Sequence, residues 1–318
     1  AQDLRRILAS APRPGTAARR TPSRRLVMAG GLATAVAAVA VTVAITQLGQ
    51  PPAAAHAATP PVLDYRSPAT VQPAAQRLRE LADVAAAAPM PDRPARTIEH
   101  VRTANWFLGS QISRDTTISA VVPEERESWR TDDNGGRLVQ RLLPPVFQSE
   151  ADRQTWLRRG GTVNSGQEIT DARAGQFPAG WAGPVPTDPT TLRQWITANS
   201  GERQDPVQYL EDIAELAGVR LLGPAERAAA LRLLAELPGM TVAGTVVDRA
   251  GRTGEAFGME SDYSGLPTRH VVIIDPADGK LLGYEAMLTT TAGKLNVPIP
   301  SVISYRCYLV AEYAPMPR

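Results

Sequence analysis

Apolar and polar positions fall into three regimes along the chain. From Leu26 to Leu48 there is no charged residue. As a helix, that stretch rises by roughly 30 Å, close to the hydrocarbon thickness of a bilayer. A transmembrane helix is therefore expected over 26–48, with a basic cytoplasmic segment, 1–25, before it. Residues 49–73 carry Pro51, Pro52, Pro60, Pro61, Pro68 and Pro73; this density favours extended backbone and predicts a Pro/Ala-rich linker. Beyond it, 74–318 is expected to form one folded extracytoplasmic domain.

Within that domain the period changes twice. Leu78, Leu81 and Val84 recur at helical spacing and predict a helix over 73–88. Strand-like stretches follow at 98–113 and 116–131. A third begins at Arg137 after Asp132-Asp133-Asn134-Gly135-Gly136, a turn whose Asn-Gly-Gly supplies the positive φ a hairpin needs. Residues 144–187 show little period and read as a structured loop region with a short helix near 151–158.

Asp188-Pro189, Asp205-Pro206 and Pro224 each open a helix. The first has Leu192, Trp195 and Ile196 as its apolar stripe. The second has Val207, Leu210, Ile213 and Ala217 inward and Gly218 as C-cap. Strands return at 240–247, 252–260, 268–275, 280–289 and 301–313. In the last, Ile303, Tyr305, Cys307, Leu309 and Ala311 form the apolar alternation. Strands, then helices, then strands with hairpin-sized links predict an α+β domain: an antiparallel sheet, curved or half-barrel-like, with helices on one face.

Charge sharpens the topology. The chain's net charge is +2, yet residues 1–25 hold seven arginines against Asp3 alone. The positive-inside rule then puts the N-terminus in the cytoplasm and the domain outside. Those arginines lack interleaved aromatics, so nucleic acid is not expected as a partner. Ala55-His56-Ala57 resembles a signal-peptidase site, and secretion after cleavage near Ala57 is the alternative. The apolar run exceeds the length of a signal core, which favours the uncleaved anchor. The lone Cys307 rules out an intrachain disulfide and a CxxC zinc site.

Candidate chemistry is sparse. His56 lies in the linker; His100 and His270 fall on predicted strands, where a structural role is expected. Arg158-Arg159-Gly160-Gly161 reads as a helix end and turn, and Asp275-Pro276-Ala277-Asp278-Gly279 as a turn and not a calcium loop. Trp106, Phe107 and Trp129 read as core, with an apolar ligand cleft as the alternative. Gly239, Asp248, Gly251, Asp275 and Gly279 are expected to set turn geometry. The sequence names no catalytic, cofactor-binding or metal-ligating residue, and no enzymatic activity is expected.

The arginine-rich head and span, the Asp-Pro helix starts, LAELPGMTVAGTVVDRAGRTGEA (234–256) and RHVVIIDPADGKLLGYE (269–285) resemble an uncharacterised family of actinobacterial single-pass membrane proteins. Its members are often encoded beside extracytoplasmic-function sigma factors. The resemblance implies a membrane-bound sensor or anti-sigma-like accessory protein, with a sigma factor or another cytoplasmic regulator as partner. The competing expectation is an exported domain that handles a lipid, a lipoprotein or another apolar envelope ligand.

Overall fold

The structure, a computed structural model, describes residues 59–67, 72–90, 92–112, 117–163, 165–295 and 297–317, with the backbone of 26–28. Residues 1–25 and 29–48 of the expected head and span lie outside the described residues. Leu26–Met28 (β1) runs antiparallel beside Gly109–Gln111. Among the described residues no helix is long and apolar enough to cross a membrane.

The domain is α+β. Its strands are β2 (Ile98–Ile112), β3 (Thr117–Arg130), β4 (Gly136–Leu142), β5 (Val146–Phe147), β6 (Gly166–Ala172), β7 (Thr241–Val247), β8 (Thr253–Ser261), β9 (Thr268–Ile274), β10 (Leu281–Leu288) and β11 (Ser301–Ala314). They join in the order β6-β4-β3-β2-β11-β10-β9-β8-β7, with antiparallel neighbours throughout and β5 against β3. β6 and β7 are edges, so the sheet is open. The C-terminal β11 lies at the centre, pairing β2 with β10 and closing the two halves of the chain into one sheet.

Helices α1 (Ala74–Ala87), α3 (Pro189–Ser200), α4 (Val207–Ala217) and α5 (Pro224–Ala235) bury their apolar stripes on one face of β8, β9 and β10. Leu78, Leu81, Leu192, Ile196, Leu210, Ile213 and Leu231 meet Phe257, Val272 and Ile274 there; each fully buried leucine contributes about 1.5–3 kcal/mol relative to an exposed one. The cap signals hold: Asp188 accepts from Thr191 N, and Asp205 accepts from Val207 N. The short α2 (Glu150–Arg158) is capped by Ser149 and sets Trp156 against Ile118 and Ala120.

Two expectations are corrected and two are refined. Val84 is 39% exposed; the buried stripe of α1 is Ala74, Leu78, Leu81, Ala82 and Ala85. The stretch expected to be loop contains β6, an edge strand whose mostly exposed residues carry no apolar alternation. In β11 the apolar face of Tyr305 and Cys307 points away from the helices, whereas Arg306 and Tyr308 face them and donate to the Ala214 carbonyl. Gly218 caps α4 with φ −82° and not in a left-handed conformation. Glycine serves there for close approach, since an added Cβ would sit 3.2 Å from Arg306 Cδ.

The described part of the proline-rich stretch packs on the sheet edge. Arg66 exchanges backbone hydrogen bonds with Thr245 on edge strand β7, and Leu63 and Tyr65 pack on Val246, Ala256 and Val271. An added Cβ at Gly244, φ +122°, would lie 2.3 Å from Arg66 O, so only glycine allows this contact.

Between α3 and α4, Arg203 clamps Asp212 with both fork bonds, 2.6 and 2.7 Å, and each side chain is 2% exposed. Arg203→Met strands the carboxylate and is expected to lower stability by about 3–5 kcal/mol in urea unfolding. Pairing it with Asp212→Leu should recover most of the loss, because no buried charge is then left alone.

Candidate functional site

β10 pairs β11 only from Gly283, opposite Cys307, but β11 runs on to Ala314, paired along that stretch with β2. The unequal lengths leave a gap beside the end of β11. The exit of α1, Ala88–Met90, and the α4–α5 link, Ala217–Leu222, wall this gap into a cleft of about 620 Å³. Leu221, Leu222, Leu281, Leu309 and Val310 give it an apolar lining, and Met90, 66% exposed, stands at its edge.

Cations line the walls, each held by a separate device. Arg252 grips Asp248 with two bonds, 2.9 and 2.6 Å, and donates to the carbonyls of Tyr308 and Leu282, both at 2.7 Å. It thus satisfies backbone acceptors that strand pairing at the gap leaves open. Arg227 donates through Nε to Asp278 O and through Nη1 to Leu222 O. Burial pushes its guanidinium pKa down, against the pull of Asp278 and Glu226. Arg220 pairs with Glu99, and Lys280 with Asp278 at 2.5 Å. Among the described residues the lining is apolar at its centre, with the guanidinium and ammonium groups and the carboxylates of Asp275, Asp278 and Glu312 at its walls.

The residues weighed in the sequence lie elsewhere or serve the cleft indirectly. Trp106 stacks on Tyr305 and Trp129 on His100, on the face away from the helices; Phe107 points the opposite way. None of the three lines the cleft. Arg159, Gly160 and Gly161 close the end of α2 through backbone bonds. Asp248 and Gly251, φ +84°, form the β7–β8 turn, and Gly239 also has φ +84°. Asp275 accepts from Ala277 N, and Gly279, φ +71°, packs so tightly that an added Cβ would meet Ala85 Cβ at 2.5 Å. That turn does more than the sequence suggested, because Asp275, Asp278 and Lys280 are cleft residues. Cys307 is buried, and desolvation lifts its thiol pKa to about 12.

His100 bonds Glu127 at 2.8 Å. His270 is 3% exposed, with Nδ1 2.9 Å from the Tyr284 hydroxyl and 3.3 Å from Glu211 Oε1. Both are built into the sheet. Among the described residues no three His, Cys, Asp or Glu side chains converge as metal ligands. No protein-family model, curated protein or solved structure matches the chain.

Burial depresses the pKa of His270 to about 4, with Asp205 opposing. An unfolded histidine titrates near 6.5, so the unfolded chain binds the proton first as pH falls. The contribution of His270 to stability is complete above pH 6.5 and shrinks by about 3 kcal/mol on descending to pH 4. His270→Gln, neutral throughout, is expected to flatten that part of the pH–stability curve in urea titrations. Parallel curves for the two proteins over pH 6.5–4 would contradict a buried neutral imidazole.

Proposed function

We propose that the folded part is an extracytoplasmic binding domain on a membrane-anchored chain, and that its ligand is an amphiphile with an apolar body and an anionic end. The cleft carries this reading. Its volume lies in the range of small-molecule sites, about 300–1,000 Å³, and leucine and valine surfaces meet Arg227 and Lys280 within it. Strands β2, β3 and β11, of 15, 14 and 14 residues, are long enough for the half-barrel curvature that apolar-ligand carriers use. A sensor role toward a sigma factor rests on the family resemblance; a ligand site outside the membrane is what such a sensor would require.

Straight-chain carboxylates of eight, ten and twelve carbons test the cleft by calorimetry. At about 0.8 kcal/mol per buried methylene, each added pair should tighten binding roughly fifteen-fold. Val310→Asp, at a partly buried lining position, should remove that dependence. Affinity independent of chain length, or unchanged in Val310→Asp, would sink the proposal.

The anchor has its own test, because a bilayer helix from Leu26 and the pairing of Leu26–Met28 with Gly109–Gln111 exclude one another. Alkaline carbonate extraction is expected to leave the uncleaved chain in the membrane pellet. Recovery of that chain in the soluble fraction would favour the strand.

A further inference from the structure

The helix-facing side of the sheet changes character from β10 to β3. On β8–β10 it is apolar; on β11, β2 and β3 it carries Arg306, Thr103, Asn105, Glu124 and Arg126. These side chains are direct cross-strand neighbours: Thr103 opposes Arg126 and Tyr308, and Asn105 opposes Glu124 and Arg306. Thr103 is 1% and Asn105 4% exposed. Three buried polar atoms in this small patch, Thr103 Oγ1, Asn105 Oδ1 and Arg126 Nε, have no hydrogen-bond partner among the described residues.

Arg126 is the telling member. Other inward-reaching arginines of the domain have partners: Arg203 has Asp212, Arg220 has Glu99, Arg249 has Glu285, Arg252 has Asp248, and Arg130 and Arg227 have carbonyls, although Arg130 Nη1 also lacks one. No acceptor faces the Nε of Arg126. Desolvation pushes its pKa down, and Arg306 adds to the strain while Glu124 and Glu215 oppose it. A buried N–H left without an acceptor is costly, and a folded domain seldom leaves three adjacent polar atoms unsatisfied.

We propose that Arg126, Thr103 and Asn105 form a second ligand site, separate from the amphiphile cleft, for a small carboxylate that carries an N–H donor beside it. A carboxylate matches the planar guanidinium fork. The Thr103 hydroxyl can donate to it, and Asn105 Oδ1 accepts the ligand's N–H. Glu124 and Glu215 disfavour a dianion such as phosphate and leave room for one negative charge. An N-acylated amino acid and a peptide C-terminus share this chemistry.

The test uses the full chain in detergent micelles, titrated calorimetrically with N-acetylglycine and with N-acetyl-glycylglycine. Neither acid carries an alkyl chain that could exploit the apolar cleft, so their binding is read independently of the amphiphile proposal. One saturable site is expected for at least one of the two, the tighter probe identifying the amino acid or the peptide end as the source. Affinity should fall at least tenfold for N-acetylglycinamide and for Arg126→Met. Asn105→Asp, which sets a like charge beside the carboxylate and keeps the arginine, should weaken binding as much and covers the case in which Arg126→Met does not fold. No saturable binding of either acid, equal binding of the amide, tighter binding of inorganic phosphate, or undiminished binding in Asn105→Asp would each overturn the proposal.

Discussion

The clamp between Arg220 and Glu99 decides how the helix layer sits on the sheet. Arg220 belongs to the α4–α5 link and Glu99 to the start of β2, 121 residues earlier. Two fork bonds of 2.9 and 3.0 Å join them, and Leu221 N also donates to the same carboxylate. The remaining Nη1 donates to the carbonyls of Trp181 and Gly183, both at 2.8 Å. A single guanidinium thus joins the cleft wall, strand β2 and the loop before α3. Bidentate pairing in a mostly buried setting is what makes such a joint directional.

The loop it holds could not otherwise be placed. Trp181 has φ +56°, unusual for a bulky residue, and its side chain is 1% exposed, packed 5.3 Å from Trp195. Arg130 reaches the same loop from β3, donating to Gly180 O and Trp181 O with its guanidinium over the Phe177 ring. Burial and the neighbouring positive Arg220 together lower the Arg130 pKa to about 10, against the pull of Glu99. Two cations therefore converge on one segment with Glu99 as the carboxylate between them. The loop is held by hydrogen bonds to its carbonyls more than by an apolar core of its own.

How far the fold was legible follows from which forces shaped each part. Helix starts were readable because a carboxylate followed by proline satisfies free N–H groups locally, as Asp188 does for Thr191. The outer strands of the second half were readable because each is bounded by a glycine turn. β6 was not, since an edge strand with both faces largely solvated needs no alternation. Which face of β11 meets the helices was hidden for a related reason: Arg306 and Tyr308 count as polar, yet their long apolar stems pack under α4 while their polar ends reach one carbonyl. The cleft was invisible in the sequence because its residues come from separate stretches between Ala88 and Glu312. A better signal was available in the arginines, which outnumber lysines so heavily that guanidinium clamps were to be expected in the interior.

The C-terminus of α4 draws these features together. On one side its Ala217 contributes to the cleft; on the other, Gly218 lies against Arg306 at the rim of the polar patch on β2 and β3. Ala214, one turn earlier, offers its carbonyl to both Arg306 and Tyr308, so the helix end is pinned by the same strand that separates the two regions. A side chain at 218 would crowd Arg306 and the Glu215 carbonyl, both 3.2 Å from an added Cβ, and glycine removes that obstacle where a conventional left-handed cap is absent. The close approach divides the apolar cleft from the charged patch although on β11 only Cys307 lies between Tyr308 of the one and Arg306 of the other. Apolar burial on β8–β10 supplies the stability, and this allows the β2–β3 half of the same face to carry charge that a core could not tolerate.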